Sequence, residues 1–173
     1  MSYQSEYDQS IEDPHGFWLD KANLIEWVQR PQVALAEDMN GIERWYPDGM
    51  LNTCHNAIDR HVQAGRGDQV AIYYDSPVTD TKQAITYAQL QDEVSRFAGG
   101  LAALGVTTGD RVVIYMPMVP EALIAMFACA RIGAIHSVVF GGFAANELAV
   151  RLSDAAPKVI VTATCGIEVS KVI

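Results

Sequence analysis

Phe140-Gly141-Gly142-Phe143 is the stretch whose residue types and spacing point most directly to ligand chemistry. Two glycines leave the backbone bare, so it can bend and come close to a bound molecule. The flanking phenylalanines offer flat apolar faces of the kind that stack on a base. On spacing alone the stretch reads first as a strand-to-helix turn with its aromatics in the core, because neither GxGxxG nor P-loop spacing occurs.

Other reactive residue types carry less. His136 lies in an apolar strand and reads as a core histidine rather than a base. His55 and His61 share a helix but are six apart, not at the i, i+4 spacing of a metal-binding pair. Asp92 and Glu93 are adjacent and point different ways around a helix, which makes them a solvated face. Arg131 follows an apolar helix and favours its C-terminus electrostatically. Cys54, Cys129 and Cys165 are far apart with no CxxC, the pattern of reduced, buried thiols in a cytosolic protein.

The elements that must position these residues are readable in order. Residues 1–50 are rich in Asp, Glu, Trp and Pro, and hold all three tryptophans, Trp18, Trp27 and Trp45. Asp13 caps a helix with Pro14 at its first position, running through Phe17, Trp18 and Ala22. Large rings in so sparse a segment predict an extension docked on a neighbouring domain rather than a disordered arm. From Asn52, which caps a helix with Cys54, Ala57, Ile58 and Val62 inward and Gly65 at its end, the pattern is regular. Val70–Tyr74 is a strand. Thr86 then caps a helix with Leu90, Val94, Phe97, Ala98 and Leu101 at helical spacing and Gly105 just past it.

Arg111–Tyr115 is a short strand, followed by a turn around Pro117 and Pro120. Glu121–Ile132 is a nearly all-apolar helix ending at Gly133. Ala134–Val139, Asn146–Asp154 and Lys158–Thr162 continue as strand, helix and strand. Such alternation predicts an α/β fold, a parallel sheet flanked by helices. The continuous runs VVIYM and KVIVTA predict strands buried on both sides. A parallel sheet calls for another crossover after Thr162, so 51–173 is expected to be the first part of a longer domain.

Composition excludes some classes of function. Twelve Lys and Arg against 21 Asp and Glu give a net charge of −9, which argues against nucleic acid and anionic membrane as partners. The polar, acidic start MSYQSEYDQS lacks the features of a signal or transit peptide. The apolar run Ala122–Ala130 is too short to span a bilayer. These features predict a soluble, cytoplasmic protein. Nothing in the sequence fixes its oligomeric state.

The block GDRVVIYMPMVPEALIAMFACARIGAIHSVVFGGF, Gly109–Phe143, resembles acyl-CoA synthetases of the adenylate-forming superfamily, in its acetate and propionate branch. IYMPM, PEA, ACARIGA and HSVVFGGF match that branch nearly word for word, and ITYAQL (Ile85–Leu90) is similar to its upstream strand-to-helix step. LNTCHNAIDRHV (Leu51–Val62) is closer to propionate ligases than to acetate ligases. The resemblance implies the first part of an AMP-binding (adenylation) domain in a propionate–CoA ligase, the alternatives being an acetate–CoA ligase or a non-catalytic CoA- or nucleotide-binding fragment. It implies ATP, CoA and Mg²⁺, with small carboxylic acids as substrates.

By the same resemblance, Phe140, Gly141 and Gly142 meet the adenine and phosphate end of CoA. Glu168 and Lys171 stand where the acetate branch has two arginines near the 3′-phosphate. Lys171 keeps the positive charge there and Glu168 reverses it. The superfamily's Ser/Thr/Gly-rich phosphate loop ending in Lys is not among these 173 residues, nor is its mobile C-terminal domain. The chain by itself is therefore expected to be catalytically silent, with no catalytic residue and no metal ligand of its own.

Overall fold

The computed structural model describes residues 2–142, 144–168 and 171–172. It forms two compact units, Met1–Asn52 and Thr53–Ile173. In the first, α1 (Tyr3–Glu12) and α2 (Pro14–Lys21) precede a two-stranded antiparallel hairpin, β1 (Leu35–Glu37) and β2 (Glu43–Trp45). Asp13 caps α2 as its side chain accepts from the Gly16 amide at 3.0 Å. The sequence pattern did not predict α1. Its apolar residues Tyr3, Tyr7 and Ile11 are all exposed, and no residue of the helix is buried. The aromatic residues serve one another within this unit. Trp18 lies edge-on to Phe17 and Trp45, Trp27 lies edge-on to Tyr46, and the Tyr46 hydroxyl donates to the Trp18 carbonyl at 2.8 Å.

The second unit begins with a helix over 53–66 that is wider than expected, π-helical at His55–Asp59 and again at Val62–Arg66. Cys54 and Ile58 are its fully buried contacts, and Gly65 adopts φ 77° where the helical backbone breaks. Next come β3 (Val70–Ser76) and β4 (Thr81–Thr86), which pair antiparallel. The Val70–Tyr74 strand therefore lies outside the parallel sheet, contrary to the simplest reading of strand–helix alternation. The link 77–80 is far too short for a crossover, so only antiparallel pairing is open to these strands.

α3 (Tyr87–Ala103) starts at a capping box. The Thr86 side chain accepts from the Gln89 amide at 3.2 Å, and the Gln89 side chain accepts from the Thr86 amide at 2.9 Å. Leu90, Val94, Ala98 and Leu101 form its buried face. β5 (Arg111–Met116), α4 (Pro120–Ile132), β6 (Ile135–Phe140), α5 (Ala145–Ala155) and β7 (Val159–Thr162) then build a three-stranded parallel sheet in the order β6-β5-β7. A small hairpin, β8 (Ile167–Glu168) and β9 (Lys171–Val172), follows.

Only the central strand is buried on both faces. Val112 and Ile114 enter the core cluster with residues of α3 and α4, while Val113 points to the other face, where α5 contacts β5 and β6. The outer strands differ from the expectation of two-sided burial. Ile160 in β7 is 46% exposed, and Ile135, Val138 and Phe140 in β6 are all more than half exposed. Among the described residues each outer strand has a neighbour on one side only, so part of its apolar surface faces outward. Among the described residues, no helix is long and apolar enough to cross a membrane.

The amino end of the sheet is fastened by Asp110. Its Oδ2 accepts from the Thr107 amide at 2.7 Å, the Thr107 hydroxyl at 2.8 Å and Lys158 Nζ at 3.1 Å. These donors hold the Asp110 carboxyl at about 2. Because the folded value is lowered, this stabilisation is present above the ordinary carboxylate range and disappears as pH falls from about 4 towards 2. Denaturant titrations between neutral pH and pH 2 are expected to show a smaller acid-induced loss of stability for Asp110→Asn than for the wild type. Parallel pH curves for the two proteins would remove Asp110 from this role.

Candidate functional site

The carboxyl ends of β5 and β6 lie side by side, with Met116 opposite Phe140 in the parallel register. From β5 the chain turns through 117–119 into α4, and from β6 it passes Gly141 and Gly142 towards α5. With right-handed crossovers, α4 and α5 leave for opposite faces of the sheet. Adjacent strand ends whose loops diverge in this way form the crevice where open α/β sheets bind ligands.

Gly141 has a structural reason to be glycine. A Cβ at this position would lie 2.8 Å from the Met116 carbonyl oxygen, 3.0 Å from its carbon and 3.2 Å from Pro117 N. The close approach expected from sequence is thus made to the neighbouring strand end of the same chain. Gly142 differs, since a Cβ there would meet the movable Phe140 ring at 2.7 Å. Neither glycine has a positive φ. Phe140 is 62% exposed, so its ring is not in the core, and Met118 on the adjoining turn is also exposed. Phe143 lies outside the described residues.

The two helices that start at this edge are open at their N-termini. Val119 precedes α4 and Ala144 precedes α5, and neither provides a side-chain cap, whereas Ser2, Asp13 and Thr86 cap α1, α2 and α3. Their first-turn amides thus point towards the edge without a side-chain acceptor. Glu121 and Glu147 also stand in those first turns, so the edge offers N–H donors rather than net positive charge.

Lys171 begins β9 and pairs with Glu168 of β8 in the backbone register. The two positions singled out for the phosphate end of CoA are therefore direct neighbours across one hairpin. Val169 and Ser170 between them lie outside the described residues.

The remaining candidates sort clearly. His136 is exposed on β6, which has no strand on its outer side among the described residues, and is not a core histidine. His55 Nδ1 lies 3.9 Å from Asp59 Oδ2, and the His61 ring stands edge-on to Tyr87 and contacts Arg66. Cys54 and Cys129 are buried, but Cys165 is exposed, which corrects the expectation of three buried thiols. Burial raises the Cys54 thiol against the opposing pull of the Arg131 guanidinium, and burial pushes Cys129 up to about 11. Neither is poised as a thiolate. Among the described residues, no group of three or more His, Cys, Asp or Glu could hold a metal ion, so no step through Mg²⁺ is assigned to them.

Sequence reasoning missed Asp59. Its Oδ1 accepts from Arg131 Nη2 at 2.7 Å and from Gln91 Nε2 at 2.8 Å, in a largely buried setting. Arg131 was read only as a complement to its own helix end. The sequence signal for the pair was slight, two opposite charges 72 positions apart.

Residues 58–172 match the family model described as AMP-binding enzyme, and residues 3–57 match that described as Acetyl-coenzyme A synthetase N-terminus. An uncharacterized protein of Pseudomonas aeruginosa is 53% identical over 173 residues, all of this chain and 28% of that protein. The mitochondrial acyl-CoA synthetase short-chain family member 3 of Bos taurus is 51% identical over 166 residues, 96% of this chain and 24% of the relative. An acetyl-coenzyme A synthetase of Streptomyces coelicolor is 51% identical over 160 residues, 92% of this chain and 24% of the relative. The chain thus spans 24–28% of the length of these relatives.

The contact at Gly141 generates a prediction. Gly141→Ala sets a methyl group against backbone and is expected to cost about 1–3 kcal/mol, as overpacking does. Gly142→Ala displaces only a ring and is expected to stay within about 0.5 kcal/mol. Urea midpoints check this, and equal costs at the two positions would contradict it.

Proposed function

We propose, from the premise that this chain belongs to the AMP-binding enzyme family, that it forms part of a ligase joining propionate to CoA. The observation that carries the proposal is the family match over residues 58–172, which includes the β5–β6 edge. The relatives named as acyl-CoA and acetyl-CoA synthetases support the same class of chemistry. On this reading residues 1–50 are an aromatic-rich N-terminal extension and 51–173 the first part of the adenylation domain. The protein is cytoplasmic and acts on small molecules: ATP, CoA and the acid.

The reaction proceeds in two steps. A carboxylate oxygen attacks the α-phosphorus of ATP, the bond to the β-phosphate oxygen breaks, and pyrophosphate leaves. The CoA thiol, losing its proton, then attacks the acyl carbon of the adenylate; AMP departs and the thioester remains. The first step is needed because a carboxylate carries no good leaving group, and AMP is one. In both steps charge builds on oxygen, where fixed N–H donors are most effective.

Phe140, Gly141 and Gly142 are assigned to the adenine and phosphate end of CoA, and Lys171 to its 3′-phosphate. An exposed ring supplies a stacking face, and two helix N-termini without side-chain caps supply N–H donors suited to phosphate oxygens. Propionate is preferred on the residues Leu51–Val62. Acetate is the second reading, favoured by the N-terminal family model and by the acetyl-coenzyme A synthetase relative.

Thioester formation by the complete polypeptide, with ATP, CoA and either acid, tests the proposal. The expected kcat/KM for propionate exceeds that for acetate by about 10-fold or more, the usual worth of one methylene in a fitted pocket. A ratio reversed in favour of acetate would install the second reading. Absence of thioester with both acids would remove the ligase reading. The 173-residue chain alone is expected to form none.

A further inference from the structure

Asp59 is 13% exposed and joins three elements of the second unit. It sits at the end of the first π-helical turn, His55–Asp59. The wide turn brings residues five apart onto one face, and in this way both Cys54 and Asp59 reach the Arg131 guanidinium. The same carboxylate oxygen accepts from Gln91 on α3 and from Arg131 in the last turn of α4.

Helix α4 gains a directional fixture in this way. Its fully buried residues are mostly small, Ala122, Ala125, Ala128 and Cys129 beside Pro120 and Ile124, and Met126, Phe127 and Ile132 pack partly buried against the same core. Apolar contacts of this kind are non-directional. A charge-assisted hydrogen bond at 2.7 Å is directional and adds a constraint on the helix along its own axis. The other end of α4, about 20 Å away at 1.5 Å per residue, continues the turn whose backbone closes on Gly141.

We infer that Asp59 is a positioning residue for the β5–β6 edge: through Arg131 it fixes α4 along its axis, and through α4 it holds the Met116–Val119 turn against Gly141. The proposal rests on the ligase reading only for the identity of the ligand at that edge.

The test uses the complete polypeptide and two variants, Asp59→Asn and the double variant Asp59→Asn/Arg131→Gln. The single change removes the negative charge opposite Arg131 and lowers the melting temperature; the double change removes both charges and recovers most of that loss. The deciding readout is amide hydrogen exchange at Met118, Val119 and Glu121 in the double variant. We expect exchange there about 10-fold faster than in the wild type, even with the melting temperature recovered. KM for CoA is expected to rise about 10-fold with KM for the acid unchanged, the signature of a displaced contact surface. Wild-type exchange rates at these amides in the double variant would overturn the inference and leave the pair a purely structural one. A wild-type protein that makes no thioester would sink the ligase reading, while the exchange measurement would still decide the role of Asp59.

Discussion

Strand β5 must be covered on both faces, and the arrangement around it follows from that requirement. Val112, Val113 and Ile114 have no exposed surface, and alternate residues of a strand point to opposite sides. One layer of helices cannot bury all three. α3 and α4 cover the face of Val112 and Ile114, and α5 lies on the face of Val113. To put α4 and α5 on opposite faces with right-handed crossovers, β6 and β7 must flank β5 on different sides. That order places the ends of β5 and β6 together, with their outgoing loops diverging. The divergence of these loops is thus a consequence of how the central strand is buried.

Two short-range contacts refine this edge. Backbone meets backbone at Gly141, which sets how closely the two strand ends approach. Asp110 ties the opposite end of the sheet to Thr107 and Lys158, so β5 and the start of β7 are fastened at their amino ends. With one edge fastened and the other closed by a glycine, the surface between them is presented at a fixed spacing. On the proposed reading, a ligand surface built from backbone amides and one exposed ring needs that fixity, since it has few long side chains with which to adapt.

Much of this was legible in the sequence, where local signals and burial agreed. The Thr86 cap, the Leu90-Val94-Ala98-Leu101 spacing and the left-handed Gly133 after α4 all stand as the pattern predicted. The failures share a physical cause: each depended on a neighbour that the local sequence does not name. Apolar runs in β6 and β7 look the same whether or not a further strand lies alongside. α1 has too sparse an apolar stripe to announce itself and buries nothing. The β3–β4 hairpin hid behind a regular strand–helix rhythm. At the site, Phe140–Gly142 was found, but the reason for Gly141 was not, because the atoms it approaches belong to the end of another strand. Asp59 was missed for the same reason, its partner Arg131 being distant in the chain.

The central claim is that the β5–β6 edge faces the adenine and phosphate end of CoA. Hydrogen exchange of the complete polypeptide with and without CoA tests it most directly. The account predicts slowed exchange at Gly141, Gly142 and Lys171 with CoA, and less protection at Lys171 with dephospho-CoA, which lacks the 3′-phosphate. Protection by CoA confined to other parts of the chain, with these amides unchanged, would contradict it.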